Sequence, residues 1–147
     1  MKIELTQKQY EALLKIVYLG NWMASSTKDE PEMEYENIEQ HILSFAKDFK
    51  MEKYIAFDKK IKSYYPTEEF ENSTDVVEQI DSYNEYTVWE ALVLFLSRRD
   101  LIKKYGAEKV DKMSDEELLE KEYPFIQKYE EEFRDHGFDN LYVKSKK

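Results

Sequence analysis

The 147-residue sequence contains no cysteine, three glycines, three prolines and two histidines. Each scarcity removes a class of chemistry. Without cysteine there is no disulfide framework, no thiolate nucleophile, no iron–sulfur cluster and no Cys-based zinc site. Three isolated glycines cannot build a glycine-rich phosphate cradle, and no Walker loop, dinucleotide fingerprint or EF-hand loop occurs. A helix N-terminus flanked by basic side chains is the phosphate-binding route that remains. His41 and His136 lack the Glu-x-x-His spacing of carboxylate-bridged diiron bundles, because Ile38 and Phe133 stand three residues before them. No Gly-x-Ser-x-Gly elbow selects a nucleophile among the serines. Long apolar runs are missing too. The longest, Ala91–Leu96, is far short of the ~20 residues that cross a bilayer. Met1–Leu5 has neither the cationic start nor the apolar run of a signal peptide. A soluble, cytoplasmic chain is the expectation.

What is present argues for a fold. Charged residues make up 37% of the chain, with 32 acids against 22 Lys plus Arg and a net charge of −10. Such a balance can signal disorder. Two Trp, twelve Tyr and eight Phe oppose that, because each ring offers a large area to bury. The length suits one globular domain over 1–147.

Periodicity predicts mostly helices. Lys2–Leu5 alternates as a short strand would. Thr6 and Gln9 form a capping box, with Leu5 placed to staple against Tyr10. Tyr10, Leu13, Leu14, Val17 and Tyr18 mark one face of the helix that follows, and Ile16, Leu19 and Met23 a second. Apolarity on two faces suggests a central helix. Gly20 leaves its end open. Ala24–Met33 reads as a loop. Tyr35, Ile38, Ile42, Phe45, Ala46 and Phe49 form a single stripe of helical period. Tyr54, Phe57, Ile61, Tyr64 and Tyr65 continue a similar pattern up to Pro66. Pro66–Ser73 reads as an acidic loop, and Val76–Tyr83 as a short helix capped by Ser73, Thr74 or Asp75. Val88–Leu96, rich in Leu and poor in β-branched residues, reads as the buried central helix, extending toward Tyr105 with Gly106 as its cap; a buried strand is the alternative. Ser114 and Glu117 open the last helix with a capping box, Met113 stapling on Leu118. Its stripe is Leu118, Phe125, Tyr129 and Phe133. Pro124 predicts a kink or restart. Gly137 ends the helix, with Phe138 expected against Phe133. Leu141–Val143 offers a strand to pair with Lys2–Leu5. The fold class expected is therefore mainly α: five or six helices around residues 88–96, with at most a small two-stranded terminal ribbon (2–5 with 141–143).

The candidate sites are few. Arg98 and Arg99, followed by Asp100, stand just after the apolar helix. A half-buried arginine there needs a carboxylate, either as an internal salt bridge or from an anionic ligand or partner. His41 borders an apolar stripe, where a satisfied boundary residue is the plain reading. His136 sits where a helix end favours a cation. Charge is segregated: Thr67–Glu85 carries seven acids and no base, while Lys47–Lys62 and Arg98–Lys104 are basic. Lysines interleaved with Tyr54, Phe57, Tyr64 and Tyr65 could face single-stranded nucleic acid. Their helical spacing and the net −10 argue against that.

The segments Leu13–Met23, Tyr64–Thr67 and Ser97–Asp100 resemble those of a family of small acidic bacterial proteins with no assigned function. The resemblance implies a bacterial source and carries no activity or site.

No cofactor or metal is expected. The function these features favour is a non-catalytic intracellular interaction or regulatory domain: a regulator, adaptor or immunity-type inhibitor. A basic protein or a second copy of the chain is the expected partner class. An enzyme with an unrecognised carboxylate/His site and an acidic nucleic-acid mimic are the alternatives.

Overall fold

The computed structural model describes residues 2–142. Among them are six helices and one two-stranded sheet: α1 (Gln7–Ser25), α2 (Met33–Leu43), β1 (Ile55–Asp58), β2 (Ser63–Pro66), α3 (Glu68–Ser73), α4 (Val76–Tyr105), α5 (Ala107–Val110) and α6 (Asp115–His136). The protein is mainly α with a small antiparallel hairpin. The chain divides into two compact units, Met1–Ser82 and Tyr83–Lys147.

In the first unit, Thr6 and Gln9 form the capping box reciprocally, and α1 runs straight through Gly20 to Ser25. Tyr10 and Leu14 point into a core shared with Leu43, Met51, Tyr54, Ile55 and Phe70. Tyr10 stacks on Phe49 at 4.1 Å and donates its hydroxyl to the Ile42 carbonyl. The second apolar face of α1 is only partly covered: Leu19 packs against this core, while Ile16 and Met23 are exposed. The α2 stripe is likewise turned outward at Tyr35 and Ile38, and the helix stops at Leu43. Its buried face is Glu39 and Leu43, because Asn21 supplies a hydrogen bond that makes burial of an acid tolerable.

The helix expected over Tyr54–Tyr65 is a hairpin. Ile55 pairs with Pro66 and Asp58 with Ser63. The Asp58 carboxylate accepts from the Lys60 N–H, and Lys62 adopts a positive φ of 54° to close the turn. Phe57 and Tyr64 meet across the strands at 4.7 Å. Gln40 clamps β2 from α2, accepting from the Tyr64 N–H and donating to its carbonyl. Pro66, without an N–H, ends the strand at its edge. The expected acidic loop after it is a helix, α3. Thr67 caps it, three glutamates occupy its positive end, and Phe70 is buried at the centre of the core.

The short helix expected over Val76–Tyr83 and the apolar segment Val88–Leu96 are one continuous 30-residue helix, α4. In the second unit Val93 is buried with Tyr129 and Phe133, while Trp89, Leu92, Leu96 and Ile126 pack around them. Burial of the Val88–Leu96 segment is one-sided: Val88, Leu94 and Phe95 remain exposed. Gly106, at φ 85°, ends α4 and donates to the Ile102 carbonyl. Ser114 caps α6, which continues through Pro124 without a restart and ends at Gly137. Phe138 stacks on Trp89 at 4.4 Å, and it is Trp89 that touches Phe133. Lys2–Leu5, Leu141 and Tyr142 form no strand, and Val143 lies outside the described residues. The small sheet is the internal hairpin instead. Ile3 and Tyr142 are both exposed, whereas Leu5 packs against the core of the first unit.

Candidate functional site

The second unit brings Arg98 and Arg99 onto α6. Trp89 meets Phe133, and further along α4 Arg98 meets Glu122 earlier in α6, so the two helices run in opposite senses. Arg98 engages the Glu122 carboxylate with both arms of its fork, Nε at 2.6 Å and Nη2 at 2.7 Å. The Glu122 side chain is only 9% exposed, against 46% for Arg98. Arg99 donates to Asp100 at 2.9 Å and to the Tyr129 hydroxyl at 2.9 Å. Tyr129 donates in turn to Asp100, and Lys103 and Lys128 stand at 3.4 and 3.7 Å from the same carboxylate. Asp100 is thus the hub of a cationic cluster. The Tyr129 hydroxyl and then Arg99 hold its carboxyl well below the usual carboxylate range. Burial, then the hydrogen bond to Asp100, pushes the Tyr129 phenol up. Both candidate arginines are therefore occupied by carboxylates of the chain itself. Ser97, directly before Arg98, is fully buried and its hydroxyl finds no hydrogen-bond partner.

Beside this cluster α4 and α6 leave a groove of about 450 Å³. Trp89, Val93, Leu94, Ile126 and Phe133 make its apolar wall; Glu90, Glu130 and Arg134 stand at its polar edge. Arg134 is engaged by Asp135 at 3.0 Å. The volume is in the range of ligand sites, which are mostly apolar with a few polar groups. Sequence reasoning took Trp89 and Val93 as core and missed the opening beside them. The signal for the arginine clamp was present: Glu122 falls on the same α6 stripe as Leu118, Phe125 and Tyr129. An acid on an apolar stripe must find a cation or donor.

His41 belongs to the first unit. It lies exposed in the last turn of α2, edge-on to Phe45 at 5.0 Å. His136 is exposed in the last turn of α6. Neither lines the α4–α6 groove. No group of three or more His, Cys, Asp or Glu side chains among the described residues is arranged to hold a metal ion. The first unit does hold a buried acid. Glu39 accepts from the Asn21 amide at 2.6 Å, and Glu36 accepts from the same amide at 3.1 Å. Burial pushes the Glu39 carboxyl up, Asn21 opposes this, and Glu36 adds to it. Tyr18 is pushed up to about 12, by burial and then by its hydrogen bond to Glu71. These groups tie α1 to α2 and α3. They do not converge on a cleft with a nucleophile.

No helix among the described residues is long and apolar enough to cross a membrane. Compared with protein-family models, with curated proteins and with solved structures, the chain matches none. The functional reading rests on the residues and their geometry.

Proposed function

We propose that this protein is a non-catalytic interaction domain of the cytoplasm, and that its α4–α6 groove receives the apolar face of a basic segment from a protein partner. The observation that carries the reading is the groove itself: an apolar wall open to solvent, edged by Glu90 and Glu130, on a chain of net charge −10. An amphipathic helix with apolar residues on one side and lysines on the other fits such a surface. The acidic field speeds the encounter, and the apolar contacts hold the complex. An enzyme draws less support, because both histidines are exposed away from the groove. A nucleic-acid mimic draws less support, because Asp100 and Glu122 are tied to arginines and Asp75 and Glu69 to lysines.

Two synthetic amphipathic helices of about 18 residues, one Leu/Lys and one Leu/Glu, test the proposal by titration calorimetry and by Trp89 fluorescence. The Leu/Lys peptide is expected to bind and to weaken as salt rises. Leu94→Asp, at an exposed position in the groove wall, is expected to weaken it at least tenfold. Equal binding of the two peptides, no binding of either, or indifference to Leu94→Asp overturns the proposal.

A further inference from the structure

The side of α4 turned away from α6 carries a second, independent feature. Val88, Phe95 and Ile102 recur at intervals of seven, so they lie on one stripe of the helix. Trp89 and Val93, which pack toward α6, sit on the other side. All three stripe residues are exposed, and Phe95 is 74% exposed. A phenylalanine so placed on a well-formed helix, with exposed apolar side chains two turns away on each side, marks an interaction surface. Ala91 lies on the same stripe and lets a second helix approach closely.

The charges beside the stripe say which partner. Glu85 flanks its N-terminal end and Lys103, largely exposed, its C-terminal end. We propose that two copies of this chain pair through this face of α4, antiparallel about a two-fold axis at Phe95. In that register Phe95 meets Phe95, Val88 meets Ile102, and Glu85 of one copy comes within a turn of Lys103 of the other, twice by symmetry. A parallel pair would set Glu85 against Glu85 and Lys103 against Lys103. The helix is thus complementary to itself only when reversed. The seam is narrow compared with the roughly 800 Å² per partner of a standard stable interface, so association in the micromolar range is expected rather than an obligate dimer. The groove lies on the other side of α4, and the proposal does not rest on its occupancy.

Sedimentation equilibrium of the full chain from about 10 µM to about 1 mM tests this, since a weak dimer shifts with concentration. The wild type is expected to move from monomer toward twice its mass. Phe95→Asp is expected to stay monomeric throughout, with an unchanged circular dichroism spectrum. Glu85→Lys and Lys103→Glu are each expected to weaken the dimer about tenfold, and the double exchange to restore it. A chain monomeric at the highest concentration, or a dimer untouched by Phe95→Asp, overturns the proposal. A Phe95-dependent dimer that the double exchange fails to restore overturns the antiparallel register.

Discussion

Arg98→Met asks whether the arginine clamp supports the fold or stands ready for an outside anion. The substitution keeps most of the side-chain stem and removes the guanidinium. Glu122 then loses donors at 2.6 and 2.7 Å while its side chain stays 9% exposed. Hydrogen bonds to a charged group contribute about 1.5–3 kcal/mol each, or roughly 3–6 for two. Breaking a fully buried pair costs about 3–5 kcal/mol. Arg98 is 46% exposed, so water can enter the vacated space and the lower end applies. A loss of about 2–3 kcal/mol is expected. Glu122→Gln is the milder perturbation. The amide oxygen still accepts from one arm of the fork, and the released guanidinium is already half in solvent, so about 1 kcal/mol is expected.

Urea unfolding followed at the Trp89 indole resonance reads this unit directly, because Trp89 packs on Phe133 and Phe138. The double-mutant cycle should give a coupling of about 1–2 kcal/mol. The ordering of the two single variants is the stricter test, since it follows from which partner is buried. If Arg98→Met costs under about 0.5 kcal/mol, the pair is an ordinary surface bridge. If Glu122→Gln costs more than Arg98→Met, the assignment of the buried partner is wrong. Either result would return Arg98 to the pool of groups available to an external carboxylate or phosphate.

Two further outcomes follow from the titrating groups. Asp100 is held below the ordinary carboxylate range, so its contribution is complete above the unfolded value of about 4 and fades as pH falls through the folded value. Asp100→Asn should therefore flatten the acid limb of a stability-versus-pH curve measured by thermal melting, and an unchanged limb would refute the hub. Glu39 is shifted the other way: its folded value is raised, so stability declines as pH rises from the ordinary glutamate value through the raised one. Glu39→Gln should raise the melting temperature at pH 7, with the difference closing near pH 4; a variant less stable at pH 7 would show that the bond to Asn21 outweighs burial.

Local chemistry made part of the structure readable in the sequence. Thr6 with Gln9, Ser114 with Glu117, Gly106 and Gly137 each act within a few residues of chain, and each marks an observed helix end. The hairpin was hidden because Tyr54, Phe57, Ile61 and Tyr64 fall at spacings of three and four, the helical period, while the strands are only four residues long and show little alternation. Its clamp is Gln40, a residue 24 positions away that no local pattern connects to Tyr64. The outward turn of Tyr35 and Ile38 has a similar cause. Periodicity says that a face is apolar; it does not say that Asn21 waits opposite the polar face to bury Glu39 instead. The site follows the same division. Arg98 stood out because it follows an apolar helix, but its partner and the adjoining groove depend on how α6 lies along α4.

The two buried glutamates put that division in energetic terms. Glu122 lies on the apolar stripe of α6 and Glu39 lies off the apolar stripe of α2, yet both are almost fully covered. Their burial is alike. Their surroundings are not: Glu122 receives a bidentate guanidinium, whereas Glu39 receives one neutral amide and has Glu36 nearby. A full opposite charge offsets the desolvation of a carboxylate; a neutral donor offsets only part of it, and a like charge adds to the cost. Neutralising the acid should therefore weaken the fold at Glu122 and strengthen it at Glu39. Opposite signs from one substitution at two equally buried glutamates would show that partner chemistry, and not burial, decides what an acid does in this protein. The same reasoning bears on the groove. Arg98 and Arg99 are held by acids of their own chain, so the wall of Trp89, Leu94 and Phe133 is left to supply the attraction for a partner, with Glu90 and Glu130 selecting its charge.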